Sequence, residues 1–320
     1  MNSVPSPGFH RFLKQPKVAA VITCPFSGGQ PRAGVDSAPN CLVEQGLLKS
    51  IKSVGYSTIL DPLEPLKIPK QDDPDIGKLK NPLSVVQTNK QLMEKINSHT
   101  KNGELIVTIG GDHSLGIGTL SATLNAFPDA CVIWVDAHAD INTPETTESG
   151  NLHGCPLSFL LSTLHAGKDL EPFKWIKPIL RPDRLVYIGL RDIDHAERDI
   201  LRKNNILCFT MHEIDKYGIG KVLEMTLNTV NRHQNVPIHL SFDVDALDPS
   251  VAPATGTPVR GGLSFREGHY VCEEIYKTGC LVALDLMEVN PTLMTNESDV
   301  AQTLNVAQSL IRSALGETLL

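Results

Sequence analysis

Residues 105–140 read LIVTIGGDHSLGIGTLSATLNAFPDACVIWVDAHAD, and the fold is decided there. Leu105–Ile109 and Cys131–Val135 are short apolar runs rich in β-branched residues, the pattern of strands buried on both faces. Between them, Ile117–Ala126 has the length and spacing of a helix, so the unit reads strand, helix, strand. Such a crossover joins parallel neighbours. The alternation continues outward. Strands are expected at Val18–Cys24, Leu185–Ile188, Ile238–Phe242 and Cys280–Leu286, and helices at Leu42–Ser53, Val85–Ser98, Ala196–Lys203, Lys221–Asn231 and Glu267–Lys277. This order predicts an α/β fold, doubly wound, with a mainly parallel sheet flanked by helices on both faces. The Pro-rich stretch Asp61–Pro82 reads as a surface excursion, because the alternation resumes after it. A single domain over residues 18–320 is expected, behind an N-terminal extension of residues 1–17.

With 320 residues, 41% of them hydrophobic, the chain can bury a large core. A net charge of -7 offers no basic field for phosphate backbones, which argues against nucleic acid and leaves small molecules as the expected partners. The seven cysteines are scattered and never form a C-x-x-C pair, so neither a disulfide framework nor a thiolate zinc site is indicated. No apolar run reaches the roughly 20 residues that span a bilayer. Residues 1–17 hold Arg11, Lys14 and Lys17 without an acid, yet Pro5 and Pro7 interrupt any amphipathic helix. A cytoplasmic location is expected, with a mitochondrial one as the alternative.

In doubly wound sheets, sites gather beyond the carboxyl ends of the strands. Here Gly110-Gly-Asp-His113 follows Ile109, Asp136-Ala-His-Ala-Asp140 follows Val135, and Asp243-Val-Asp245 follows Phe242. If these segments stay extended, the period of two puts Asp136, His138 and Asp140 on one face and Asp243 with Asp245 on another. Aspartates gathered in this way would repel one another, whereas two divalent cations would balance their charge. Oxygen-rich ligation with imidazole and no thiolate suits Mn²⁺ better than structural zinc, and leaves Zn²⁺, Co²⁺ and Ni²⁺ open. A single Asp after a strand is more often a turn former or helix cap, and a single His a packing residue. Three such motifs behind three strands indicate metal. His165, His195, His212, His233, His239 and His269 lack such neighbours and are expected as surface or packing residues.

Together with Ala19-Val-Ile-Thr-Cys-Pro-Phe-Ser-Gly-Gly-Gln30, Ile188-Gly-Leu-Arg-Asp-Ile-Asp194, Pro253-Ala-Thr-Gly-Thr-Pro258 and Met287-Glu-Val-Asn-Pro291, these segments resemble the arginase/agmatinase (ureohydrolase) family over nearly the whole chain. Ser149-Gly-Asn-Leu-His-Gly154 resembles its arginase branch. The resemblance implies an arginase-like catalytic domain that hydrolyses L-arginine to L-ornithine and urea. It implies two Mn²⁺ per chain, one held by His113, Asp136, Asp140 and Asp243 and the other by His138, Asp136, Asp243 and Asp245. A hydroxide bridging the ions would be the nucleophile. Glu288 would pair with the guanidinium, Asp140 would take hydrogen from the hydroxide, and His153 would shuttle a proton. By the same resemblance Asn142, Ser149 and Asn151 meet the α-carboxylate, Asp194 and Glu197 the α-amino group, and Thr257 lies near the guanidinium. Arg266 and Glu267 match a subunit-interface pair, so a homotrimer is expected, although the chain ends at Leu320 without the polar tail of some animal members. Agmatinase and other guanidino-acid amidinohydrolases are the rival enzymes, and a non-catalytic metal-binding or regulatory protein is the rival of another class.

Overall fold

The computed structural model describes residues 10–293 and 296–318. Its strands are β1 Gln15–Thr23, β2 Ser57–Leu60, β3 Glu104–Ile109, β4 Cys131–Val135, β5 Leu185–Leu190, β6 Leu207–Thr210, β7 Ile238–Asp243 and β8 Leu281–Met287. They form one parallel sheet in the order β2-β1-β3-β8-β7-β4-β5-β6. Helices α1 Ala38–Glu44, α2 Leu47–Ser53, α3 Pro82–Asn102, α4 Gly116–Ala126, α5 Pro156–Leu160, α6 His195–Lys203, α7 Met211–Tyr217, α8 Ile219–Val230, α9 Phe265–Lys277 and α10 Glu297–Ala314 lie between or after them. No helix among the described residues is long and apolar enough to cross a membrane.

The strands are apolar at consecutive positions because successive side chains go to opposite faces and both faces are covered. Val107, Ile133 and Val135 pack with Leu42, Ile51, Val222, Val271 and Leu310 from α1, α2, α8, α9 and α10. Ile106, Val132 and Trp134 pack on the other face with Val85, Leu92, Leu120 and Leu157 from α3, α4 and α5. The last strand, β8, is inserted between β3 and β7, so β3, β8, β7 and β4 sit side by side at the sheet centre. These four end in the acid and imidazole motifs and in Glu288, and parallel pairing brings their carboxyl ends to one edge.

Several expectations need correction. The helix expected over Leu42–Ser53 is two helices, because Gly46 takes φ 91° in the left-handed region and turns the chain between α1 and α2. Strands β2 and β6 were not expected; both are short sheet-edge strands whose residues are largely exposed or half-buried, so neither shows a core strand's apolar run. The 61–82 excursion is not wholly superficial. Asp73 is buried and accepts hydrogen bonds from the Leu83 and Ser84 backbone N–H groups, capping α3 from outside the helix. Of the expected extension, residues 1–9 lie outside the described residues, and residues 15–17 belong to β1.

Candidate active site

The motif aspartates enter the site through turns, which corrects the expectation that their segments stay extended. Asp112 accepts from Ser114 N at 3.0 Å and from Gly29 N at 2.8 Å. Asp136 accepts from His138 N at 2.7 Å, and Asp243 from Asp245 N at 2.8 Å. Each carboxylate thus closes a turn over the residue two further on, the ordinary use of Asp after a strand. In Asp136 and Asp243 the second oxygen faces His113. Asp140 and Glu288 hold φ of 49° and 64°, the left-handed conformation that costs a non-glycine residue roughly 1 kcal/mol or more and clusters at functional sites.

His113 Nδ1 lies 3.0 Å from Asp243 Oδ2, 3.1 Å from Asp136 Oδ2 and 3.4 Å from Asp140 Oδ2. His138 Nδ1 lies 3.1 Å from Asp245 Oδ2 and 3.5 Å from Asp136 Oδ1. Two ligand groups result, His113 with Asp136 and Asp140, and His138 with Asp136 and Asp245, each with its ligand atoms within 4.8 Å of one another. Asp136 belongs to both. One ring nitrogen facing three carboxylates exceeds what one N–H can satisfy, and a divalent cation among them would satisfy all. The donor set fits metal, and a hard or borderline ion above all.

Burial pushes Asp140, Asp243 and Asp245 above the usual carboxylate range, and the charge of Asp136 adds to each. Burial would also raise Asp136, but hydrogen bonds and charges from His113 and His138 outweigh it and hold its pKa low. Burial would lower His113; its Asp136 hydrogen bond and the charges of Asp136, Asp140 and Glu288 raise it instead to about 9. His153 moves up despite burial, chiefly through its Glu288 hydrogen bond. Beyond the cluster opens a cavity of about 170 Å³ lined by His138, Asp140, Asn142, Ser149, Asn151, His153, Asp194, Glu197, Thr257 and Glu288, among others. None of the described residues that line it is Lys or Arg. So anionic a hollow suits a cationic guest.

The Arginase family profile matches residues 17–316. An arginase of Glaciozyma antarctica is 57% identical over 319 residues, covering 98% of this chain and 92% of that protein. Arginase-1 of Mus musculus is 49% identical over 304 residues and covers 94% of each.

The chain belongs to the arginase family.

The crystal structure of the Bacillus caldovelox arginase agrees, with a TM-score of 0.85 at 33% identity over 95% of this chain and all, 100%, of that one. As in any member of a hydrolase family, the supporting residues matter as much as the ligands, and several were missed from sequence. In this arginase-family chain His113 is stacked on Trp134, with ring centroids 3.9 Å apart, and its Nε2 meets Ser241 Oγ at 2.9 Å. Trp134 Nε1 also donates to Asp136 Oδ2 at 2.9 Å. Asp192 Oδ2 stands 3.8 Å from His138 Nε2. Asp192 sits just beyond the end of β5, the signal that could have found it; Ser241 lies within β7 and Trp134 within β4, and both read only as core.

All the expected site residues gather at this edge, though by different routes. Thr257 Oγ1 donates to Asp245 Oδ2 at 2.9 Å. Asn142 Nδ2 donates to Asp194 Oδ2 at 2.8 Å. Ser149 is exposed on the rim and Asn151 half-buried. Glu197 is buried, accepting from Ile141 N at 3.1 Å and Asp194 N at 3.0 Å, and burial raises its pKa to about 7. It closes the capping box of α6 as well as lining the cavity. The histidines set aside behave as expected: His165, His195, His212 and His233 are exposed or half-buried away from the cavity, while His239 and His269 are buried with polar partners. Glu267 forms a capping box with Ser264 at the start of α9, and Arg266 is exposed.

Proposed function

We infer that this chain is an arginase, hydrolysing L-arginine to L-ornithine and urea. The observation that carries the reading is the joining of two imidazoles and four aspartates, with one aspartate common to both ligand groups, to a small cavity lined by Glu288, Asn142, Ser149 and Asn151. His113, Asp136, Asp140 and Asp243 would hold one Mn²⁺ and His138, Asp136, Asp243 and Asp245 the other. When bound, the ions would lower the pKa of water toward neutrality and so supply the nucleophile.

The chain's own residues do the rest. Glu288 pairs its carboxylate with the guanidinium and sets the carbon beside the aspartate and histidine cluster. Asp140, at the junction of cluster and cavity, receives the hydrogen of the attacking water and stabilises the carbon as it becomes tetrahedral. His153, whose Nδ1 lies 3.3 Å from Glu288 Oε1, carries the proton that the departing ornithine amine needs. Asn142, Ser149 and Asn151 meet the α-carboxylate. Asp194 meets the α-amino group, and Glu197 holds residues 141 and 194 in place for it. The reading extends to a homotrimer using the Arg266 and Glu267 face, and to the cytoplasm.

Elemental analysis and a urea assay on Mn²⁺-loaded, dialysed protein test this. About two ions per chain and urea release from arginine are expected. Asp136→Ala should disturb both ions, and His113→Ala chiefly one. Fewer than about one ion per chain, or equal effects from both variants, contradicts the binuclear assignment.

A further inference from the structure

Gln30 has no role in the mechanism above, yet its side chain is buried and its Nε2 donates to Glu288 Oε2 at 3.0 Å. We propose that Gln30 is a positioning residue for guanidinium recognition, acting through Glu288. The inference rests on the arginase reading of Glu288.

The loop that carries Gln30 has little freedom. Gly29 N donates to Asp112 Oδ2, and His153 N donates to Gly29 O at 3.0 Å. Asp112 N donates to Phe26 O at 2.9 Å, and Asn81 Nδ2 to Gly28 O at 3.0 Å. A Cβ on Gly29 would meet Asp112 Oδ1 at 2.4 Å, and one on Gly111 would meet Phe26 O at 1.8 Å, so glycines permit the close approach. The Arg32 guanidinium donates to the Gly256 carbonyl and joins the 253–258 loop to the same strap. The fixed backbone holds the buried Gln30 side chain within hydrogen-bond reach of Glu288.

That donor settles the plane of Glu288. Oε1 accepts from His113 N at 2.9 Å, and Oε2 accepts from Gln30 Nε2. Two donors on different oxygens stop rotation of the carboxylate about its last bond. A guanidinium needs that plane, because its two parallel N–H bonds match a carboxylate only when the groups are coplanar. Without Gln30, Glu288 keeps its charge and its φ but loses its fixed orientation.

The experiment measures kcat and KM for arginine, metal content and Tm of the Mn²⁺-loaded full chain in the parent, Gln30→Met, Gln30→Glu, Glu288→Gln and the Gln30→Met/Glu288→Gln pair. Gln30→Met is expected to lower kcat/KM roughly tenfold to a hundredfold, the range for one hydrogen bond to a charged group, with metal content and Tm unchanged. Gln30→Glu, which replaces the donor by an acceptor at constant shape, loses at least as much and keeps the proposal testable if the Met variant folds poorly. In the Glu288→Gln background Gln30→Met costs less than about threefold, because the residue through which it acts has changed. Unchanged kcat/KM in both Gln30 variants, loss of metal, or equal costs in the two backgrounds overturns the inference. A parent that releases no urea sinks the arginase reading and this inference with it, whereas an active parent with an indifferent Gln30 sinks the inference alone.

Discussion

At the scale of single residues, the same side chains satisfy local backbone geometry and build the site. Asp136 closes a turn with one oxygen while the other accepts from Trp134 beside the ligand cluster. The turn role is the bland sequence expectation for such an Asp, and the two uses coexist. His153 is separable from the proposed ligands: it touches Glu288 and lines the cavity. His153→Ala should therefore lower kcat about 10²- to 10⁴-fold with metal content intact, measured by urea release and elemental analysis on one preparation. Loss of metal would make it a ligand instead. Away from the site, His10 is buried against Tyr56 and Tyr276, and burial lowers its pKa to about 4 against the opposing Leu281 carbonyl. Its unfolded form binds a proton near pH 6.5 and its folded form does not, so stability is present above that pH and is lost as pH falls toward 4. Between pH 7 and 4.5 the stability difference between parent and His10→Phe should move in the variant's favour by about 2 kcal/mol, read by urea denaturation of metal-free protein. A constant difference would show that folding leaves the His10 pKa unshifted. The six proposed ligands were legible because each follows an apolar strand; Gln30 was not, since one amide among glycines and prolines carries no pattern of its own.

Among the elements, what could be read from the sequence was set by burial. Strands β3, β4, β5, β7 and β8 are buried at every position and stand out as apolar runs. Edge strands β2 and β6 are mostly exposed or half-buried and were passed over. Helix ends were legible only where a local residue marks them. Gly103 takes φ 76° and ends α3, but its start depends on Asp73, several residues upstream and invisible to a local capping rule. Asp73→Ala should cost about 2 kcal/mol, since it leaves the Leu83 and Ser84 N–H groups without their acceptor. A thermal melt should show a drop of several degrees with metal content unchanged. An unaltered melt would mean that α3 is held by its apolar face alone.

For the whole molecule, function follows from the placement of β8. Insertion of the last strand between β3 and β7 delivers Glu288 beside His113, and no local pattern foretells that neighbour order. Sequence reading reached the parallel sheet and the acid- and imidazole-bearing strand ends, but the convergence itself depends on pairings between residues far apart in the chain, such as His113 with Asp243. The cavity that results is acidic, with Asp192 and Asp194 exposed beside Ser149, and it carries Asn142, Asn151 and Ser149 as neutral polar groups, a lining suited to a substrate with a cationic tail and an amino-acid head. Paired measurement of kcat/KM for arginine and agmatine on the Mn²⁺-loaded chain tests this most directly, because agmatine keeps the guanidinium and lacks the α-carboxylate. Each hydrogen bond to a charged group stabilises by roughly 1.5 to 3 kcal/mol, and agmatine forgoes about two of them, so arginine should be preferred by about two to four decades. Asn142→Ala and Ser149→Ala should narrow that gap by slowing arginine alone. Agmatine turned over within about tenfold of arginine would contradict the account and assign the site to a decarboxylated or different guanidino substrate.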